Sequence, residues 1–395
     1  MNNVAYILQK LGERVQAFVA YWLTKTYIFC CPLRERKFFC ISMSGNSYGD
    51  SVKCLTDYLS THHPEAEIVW AFSSGFFKKS NCPHKGVKLY SFSYYYHILT
   101  SKYILSNARL NQRMLHKRKG QVYIQTWHGT ALKRLGTDID KKRSAWKELV
   151  LPSVFKHDVR HTDIMISGST FMSSVFRDKF LFKGDLWETG MPRNDIFFHD
   201  HSEVVEKVRR EYGIADDMQI VLYAPTFRND RQFTYYDFDY KNFCQLWQQR
   251  TGKSCVFMVR LHPILLYKSS ALEQLFGSDT INASAWPDMQ ELLCAADVLV
   301  TDYSSSMFDF MLSGKPVVMY TPDADSYSNG FYFHLDGLPF IRMNDNSEME
   351  KALQQFNTNK YKRKIEAFLD KIGNKEKGDA THCIIEKIFS QKYAY

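Results

Sequence analysis

The stretch from Ala296 to Thr321 constrains the fold of this chain more than any other. Residues 298–300 are short, apolar and mostly β-branched, the pattern of a buried parallel strand. The run breaks into Asp302, Ser304, Ser305 and Ser306, residue types that favour helix N-caps. An apolar helical segment is predicted over 307–312; Gly314 and Pro316 end it, and residues 317–320 begin another strand. Strand, polar turn, helix and strand make one βαβ unit. Its turn gathers main-chain N–H groups, hydroxyls and a positive helix end at one point, which suits phosphate. Taken alone, the same pattern also describes an ordinary capped helix of an α/β protein.

Similar signals recur along the 395 residues, enough chain for two domains of ordinary size. Strands are predicted over 38–43, 67–72, 87–90, 103–105 and 122–126, with a loop over 44–50 leading into a helix through residue 59. A second series covers 219–223, 255–260, 280–282, 298–300 and 317–320, and a helical connector over about 202–212 separates the two. Strands alternating with helical stretches imply parallel, doubly wound sheets. The expected architecture is α/β, two Rossmann-like domains facing across a cleft. The expected segments are 1–37, 38–205, 206–372 and a C-terminal helix over 373–395.

The net charge of +9 points to an anionic partner such as nucleic acid, anionic lipid or a phosphate-rich polymer. Nucleic acid is disfavoured because no RNP, KH, zinc-finger or helix-turn-helix pattern accompanies the charge. The nine cysteines have no metal-like spacing and read as free thiols. The first apolar stretch has no small-residue cleavage site and is too interrupted by Lys10, Glu13, Arg14 and Lys25 to span a bilayer. With Tyr21, Trp22 and Tyr27 it suits a helix lying on a membrane surface, or else a packing helix of the first domain.

Several polar clusters stand just after predicted strands, where α/β sheets bind ligands. Gln125-Thr126-Trp127-His128-Gly129-Thr130 offers a histidine that can act as a general base. Arg260-Leu261-His262-Pro263 leaves a second imidazole at a strand tip. Arg228, in Ala224-Pro225-Thr226-Phe227-Arg228, can clamp a phosphate. Ser167-Gly168-Ser169-Thr170 and Gly190-Met191-Pro192-Arg193-Asn194-Asp195 complete the set. Each has a structural reading as well, a satisfied core histidine or an ordinary turn; their common placement favours function.

In this order the motifs resemble those of the CDP-glycerol glycerophosphotransferase family, the primases and polymerases of teichoic acids and related phosphate-linked capsules. The resemblance runs from about Phe38 to Phe340. It implies a GT-B fold with the acceptor domain first and the nucleotide domain second, and a peripheral enzyme at the cytoplasmic face of the bacterial membrane. It also implies roles. His128 is the base, with Trp127, Gly129, Thr130, Gly45 and Asn46 on the acceptor side. His262 lies near the donor diphosphate, and Arg228, Thr301, Asp302, Ser304, Ser305 and Ser306 bind donor phosphate. The implied donor is CDP-glycerol or a related CDP-polyol, the acceptor is lipid-linked, and CMP is released. Asn329 and His334 depart from the family pattern around Gly330, which bears on the choice of polyol.

No cofactor is expected to be required. Three Asp-x-Asp pairs, Asp138/Asp140, Asp237/Asp239 and Asp323/Asp325, have a metal-like spacing but follow no convincing strand. The basic residues between Arg109 and Lys147 read as a track for anionic lipid or product, or as a solvated face. Rival readings are a GT-B glycosyltransferase using a nucleotide sugar, a ribitol-phosphate transferase, and a non-catalytic scaffold.

Overall fold

The computed structural model describes residues 30–110, 117–138, 158–226, 236–261, 277, 279–325, 327 and 330–390, with scattered positions from Gly12 to Tyr27. His262, Arg228, Asn329, Asp140 and most of the segment 1–29 lie outside the described residues. Contacts divide the chain into two units, Met1–His128 with Ala145–Asp195 and Lys375–Tyr395, and Gly129–Ser144 with Ile196–Asn374.

The first unit is built on a seven-stranded sheet. Its strands are β1 Arg34–Ile41, β2 Glu67–Phe72, β3 Lys85–Lys88, β4 Ser101–Ser106, β5 Val122–Gln125, β6 Ile164–Ile166 and β7 Asp185–Trp187. They run parallel in the order β3-β2-β1-β4-β5-β6-β7. Every residue of β4 and β5 is buried, as expected of a parallel sheet covered on both faces. Alternation along β1 sends Phe38 and Cys40 to one core and Phe39 and Ile41 to the other. The first core also takes Leu55 and Leu59 from the helix Asp50–His62 and Ile384, Ile385 and Ile388 from the helix Ala380–Ser390. The second core takes Tyr94, Tyr95, Ile98 and Leu99 from the helix Phe92–Thr100.

The second unit has six parallel strands, β8 Gln219–Tyr223, β9 Cys255–Val259, β10 Thr280–Asn282, β11 Val298–Thr301, β12 Val317–Tyr320 and β13 Ile341–Met343. Their order is β10-β9-β8-β11-β12-β13, so the chain builds outward from β8 and then restarts beside it at β11. That is the strand order of a Rossmann sheet. Tyr223, Phe238, Phe243, Trp247 and Phe257 fill one of its faces with rings. Residues 130–135 belong here too: Lys133 bridges to Phe331, Arg134 N–H donates to the Gly330 carbonyl at 3.1 Å, and Tyr332 N–H to that of Leu132 at 2.8 Å.

Packing redraws two expected boundaries. The helix Ser202–Tyr212 packs on the helix Met289–Ala295, and the longer run of the second unit starts at Ile196, ahead of the expected residue 206. The last helix, expected as a segment of its own, packs on Asp50–His62 in the first unit. Its attachment is polar as well as apolar. The Asp195 carboxylate accepts from Ala380 N–H at 3.0 Å and Thr381 N–H at 2.8 Å, and so caps the helix from a distant part of the chain. Glu376 accepts from Met191 N–H at 2.8 Å and Asn194 Nδ2 at 3.0 Å. A Cβ at Gly190, whose φ is +87°, would lie 2.8 Å from the Glu376 carboxylate, so the motif 190–195 is built to receive this tail. Asp195→Ala should therefore lower stability by about 1–2 kcal/mol, read as a fall in melting temperature; an unchanged melting temperature would show that the cap contributes nothing.

Candidate active site

In the first sheet, β1 to β3 step one way and β4 to β7 step the other, so the switch point lies between the carboxyl ends of β1 and β4. Asn107, the residue after β4, stands there fully buried. Its side-chain Oδ1 accepts from Met43 N–H at 2.8 Å, and its main-chain carbonyl oxygen lies 2.8 Å from Nδ1 of His128. A carbonyl oxygen can only accept, so Nδ1 carries a proton, and in the neutral ring Nε2 keeps its lone pair.

The loop after β1 takes its shape from backbone that few residues tolerate. Met43, Ser44 and Gly45 have φ of 46°, 56° and 83°. At Gly45 a Cβ would lie 2.8 Å from Ser73 N and 2.9 Å from Leu89 Cδ1, so only glycine fits. Asn46 accepts from Ser73 Oγ at 2.7 Å. The expected acceptor-side residues Gly45 and Asn46 thus share one loop, and Asn107 ties that loop to His128.

His128 follows β5 through a left-handed step at Trp127, φ 57°, a conformation costing a bulky residue about 1–3 kcal/mol. The Trp127 ring stacks on the imidazole at 4.3 Å and is wedged edge-on by Phe180 at 5.0 Å. Gly129 follows at φ 141°, and Thr130 is partly exposed. The His128 ring is itself only partly exposed, and burial pushes its pKa below the ordinary imidazole value. Arg193 and Arg109 act in the same direction; the Asn107 carbonyl and Asp50 oppose them. Arg193 and Asp50 are themselves paired at 3.1 Å. Burial thus favours the neutral imidazole, whose Nε2 would accept a proton, the state required of a general base.

In the second sheet the switch point lies between β8 and β11. Asp302, the residue after β11, accepts from Thr226 N–H at 2.9 Å, Thr226 Oγ1 at 2.5 Å and Tyr303 N–H at 2.6 Å. Thr301 is fully buried and donates through Oγ1 to the Ala224 carbonyl at 2.7 Å. These two residues, expected to meet the donor, clamp the loops after β8 and β11. The hydroxyls left at the helix start are those of Ser304, Ser305 and Ser306. Ser304 Oγ accepts from Ser306 N–H at 3.3 Å and Oγ at 2.9 Å, and Ser304 and Ser305 are partly exposed. The helix Ser306–Phe310 continues as one 3₁₀ turn to Ser313 and stops at Gly314, φ 70°.

Three of the aspartates spaced like metal ligands have structural partners. Asp237 accepts from Tyr320 Oη at 2.8 Å, Asp239 caps the helix Tyr240–Thr251 and Asp323 accepts from Tyr303 Oη at 3.0 Å, while Asp138 belongs to a 3₁₀ turn. Among the described residues no three His, Cys, Asp or Glu side chains cluster as a metal site. Sequence reasoning passed over Asn107 and Glu376. The first was signalled only by a polar Ser106-Asn107 pair ending an apolar strand, and the second by nothing local.

A family model for CDP-glycerol:poly(glycerophosphate) glycerophosphotransferase matches residues 23–390. The chain belongs to this glycerophosphotransferase family. The teichoic acid glycerol-phosphate transferase of Staphylococcus aureus (strain NCTC 8325 / PS 47) is 30% identical over 363 residues, 88% of this chain and 91% of that protein. The teichoic acid poly(glycerol phosphate) polymerase of Bacillus subtilis (strain 168) is 27% identical over 393 residues, 93% of this chain and 51% of the polymerase. The chain thus spans about half the length of that larger relative. A structure of the wall teichoic acid polymerase TagF, in a histidine-to-asparagine variant soaked with CDPG, superposes with a TM-score of 0.80 at 25% identity, covering 99% of this chain and 98% of that one.

Within this family member, the Asp302 clamp makes a direct prediction. Asp302→Ala leaves Thr226 and Tyr303 N–H groups without their acceptor and should destabilise the second unit by about 2 kcal/mol or more. Urea denaturation followed by tryptophan fluorescence would read this, and an unchanged midpoint would contradict it.

Proposed function

We propose that this chain transfers glycerol phosphate from CDP-glycerol to a hydroxyl of a teichoic-acid-type acceptor and releases CMP. The observation that carries the reading is the orientation of His128 at the first switch point, Nδ1 committed to Asn107 and Nε2 available. Family membership supplies the donor class. On this reading the units form a GT-B enzyme, the first binding acceptor and the second nucleotide.

His128 Nε2 takes the proton of the acceptor hydroxyl. The oxygen attacks the phosphorus that bears the glycerol, a new P–O bond forms, and the bond from that phosphorus to the bridging oxygen breaks. CMP leaves with the bridging oxygen on its phosphate. Main-chain N–H groups and hydroxyls at Ser304, Ser305 and Ser306 hold the donor phosphates, and His262 and Arg228 balance the charge that grows on the leaving group. The acceptor is lipid-linked, and a surface helix brings the enzyme to it at the cytoplasmic face of the membrane. In support, Val15, Phe18, Val19 and Trp22 fall at helical spacing and stay 39–66% exposed. No helix among the described residues is long and apolar enough to cross a membrane.

Incubation with CDP-glycerol or CDP-ribitol and a synthetic lipid-linked acceptor tests the reading through CMP release and product mass. CDP-glycerol should be the better donor. His128→Ala should lower the rate about 10²- to 10⁴-fold, and a rate near wild type would contradict the assignment. The sign of the pH dependence follows from the depressed pKa: the base works unprotonated, so the rate should stay level to below about pH 6.5 and fall only in more acid solution. An acid limb centred above that value would exclude His128 as the base. Phe18→Asp with Trp22→Asp should reduce sedimentation with anionic vesicles; unchanged binding would exclude the surface helix.

A further inference from the structure

The left-handed step at Trp127 is what turns His128 back from β5 toward Asn107, and one side chain holds that step. Gln125, the last residue of β5, is 1% exposed. Its Oε1 accepts from Trp127 N–H at 3.0 Å. Its Nε2 donates to the Ala108 carbonyl at 3.1 Å and to the Tyr123 hydroxyl oxygen at 3.0 Å. The Tyr123 hydroxyl in turn donates to Asp158 Oδ1 at 3.3 Å, and Leu110 N–H donates to the same oxygen at 3.1 Å. Both ends of the amide are thus committed, and its flipped orientation would set an N–H₂ against Trp127 N–H.

The consequence is mechanical. Without an acceptor opposite its N–H, Trp127 has little reason to keep a backbone conformation that its Cβ disfavours. Relaxation there moves both things that orient the imidazole, namely the ring stacked on it and the path of the chain to Nδ1. The geometry points to Gln125 as a positioning residue: through the Tyr123–Asp158 link it fixes Trp127, and through Trp127 it aims Nε2 of His128 at the acceptor hydroxyl. Nothing in the line Asp158–Tyr123–Gln125 needs to touch substrate.

The inference rests on the proposed transfer reaction, so two readouts are needed. CMP release from CDP-glycerol and the ¹⁵N ring signals of His128 would be measured in wild type, Gln125→Met, Gln125→Glu and Tyr123→Phe. Gln125→Met removes both polar ends and should lower kcat about 10- to 100-fold, with KM for CDP-glycerol nearly unchanged and the His128 signals displaced. Gln125→Glu keeps an acceptor opposite Trp127 N–H. It should recover part of kcat and bring the ring signals back toward wild type, even though the lost Nε2 donor and a buried carboxyl lower the melting temperature. A merely structural glutamine predicts the opposite order, with rates tracking melting temperature.

Wild-type kcat or wild-type ring signals in folded Gln125→Met would overturn the inference. If that variant does not fold, Tyr123→Phe decides: a smaller loss of kcat in the same direction supports the link, and no change in rate or ring signals overturns it. Failure of the wild-type protein to release CMP would sink the transfer reading instead, and the ring signals would still decide the role of Gln125.

Discussion

The hydrogen bond from Nδ1 of His128 to the carbonyl of Asn107 joins the proposed general base to the fold. It exists because β4 and β5 are neighbours in register, Ser106 opposite Gln125, so the residues that follow them leave the sheet side by side. It leaves the neutral ring one tautomer, and burial with Arg193 and Arg109 favours that neutral form against the Asn107 carbonyl and Asp50. Neither condition is a property of the histidine alone. Both come from where a parallel sheet releases its strands.

The two units solve the same mechanical problem in the same way. In each, the residue after the fourth strand of the series offers a side-chain oxygen to the main-chain N–H of the loop after the first. In the first unit Asn107 holds Met43 at 2.8 Å; in the second Asp302 holds Thr226 at 2.9 Å. A switch point opens a gap between diverging loops, and a short acceptor there closes it with one bond. What differs is what stands beside the clamp: in the first unit a histidine held through a main-chain carbonyl, in the second a serine-rich helix start.

Much of this was legible in the chain. Long apolar or β-branched runs such as Glu67–Phe72 and Gln219–Tyr223 have no competing reading and were placed as the structure has them. The strands Asp185–Trp187 and Ile341–Met343 were missed because three residues, one of them charged, carry no period. That His128, Gly45 and Asn46 follow the ends of strands could be read from their motifs. That Asp302 and Thr301 serve their neighbours could not, because their partners lie 76 and 77 residues away. For the same reason Glu376 and Asp195, which fasten the last helix to the first sheet, left no local mark.

The central claim is the protonation state of one ring, and a two-bond ¹H–¹⁵N correlation spectrum of histidine-labelled protein reads it directly. At pH 7 the account predicts that His128 is neutral, protonated on Nδ1, with Nε2 bare. An Nε2–H tautomer, or an imidazolium at that pH, would contradict it.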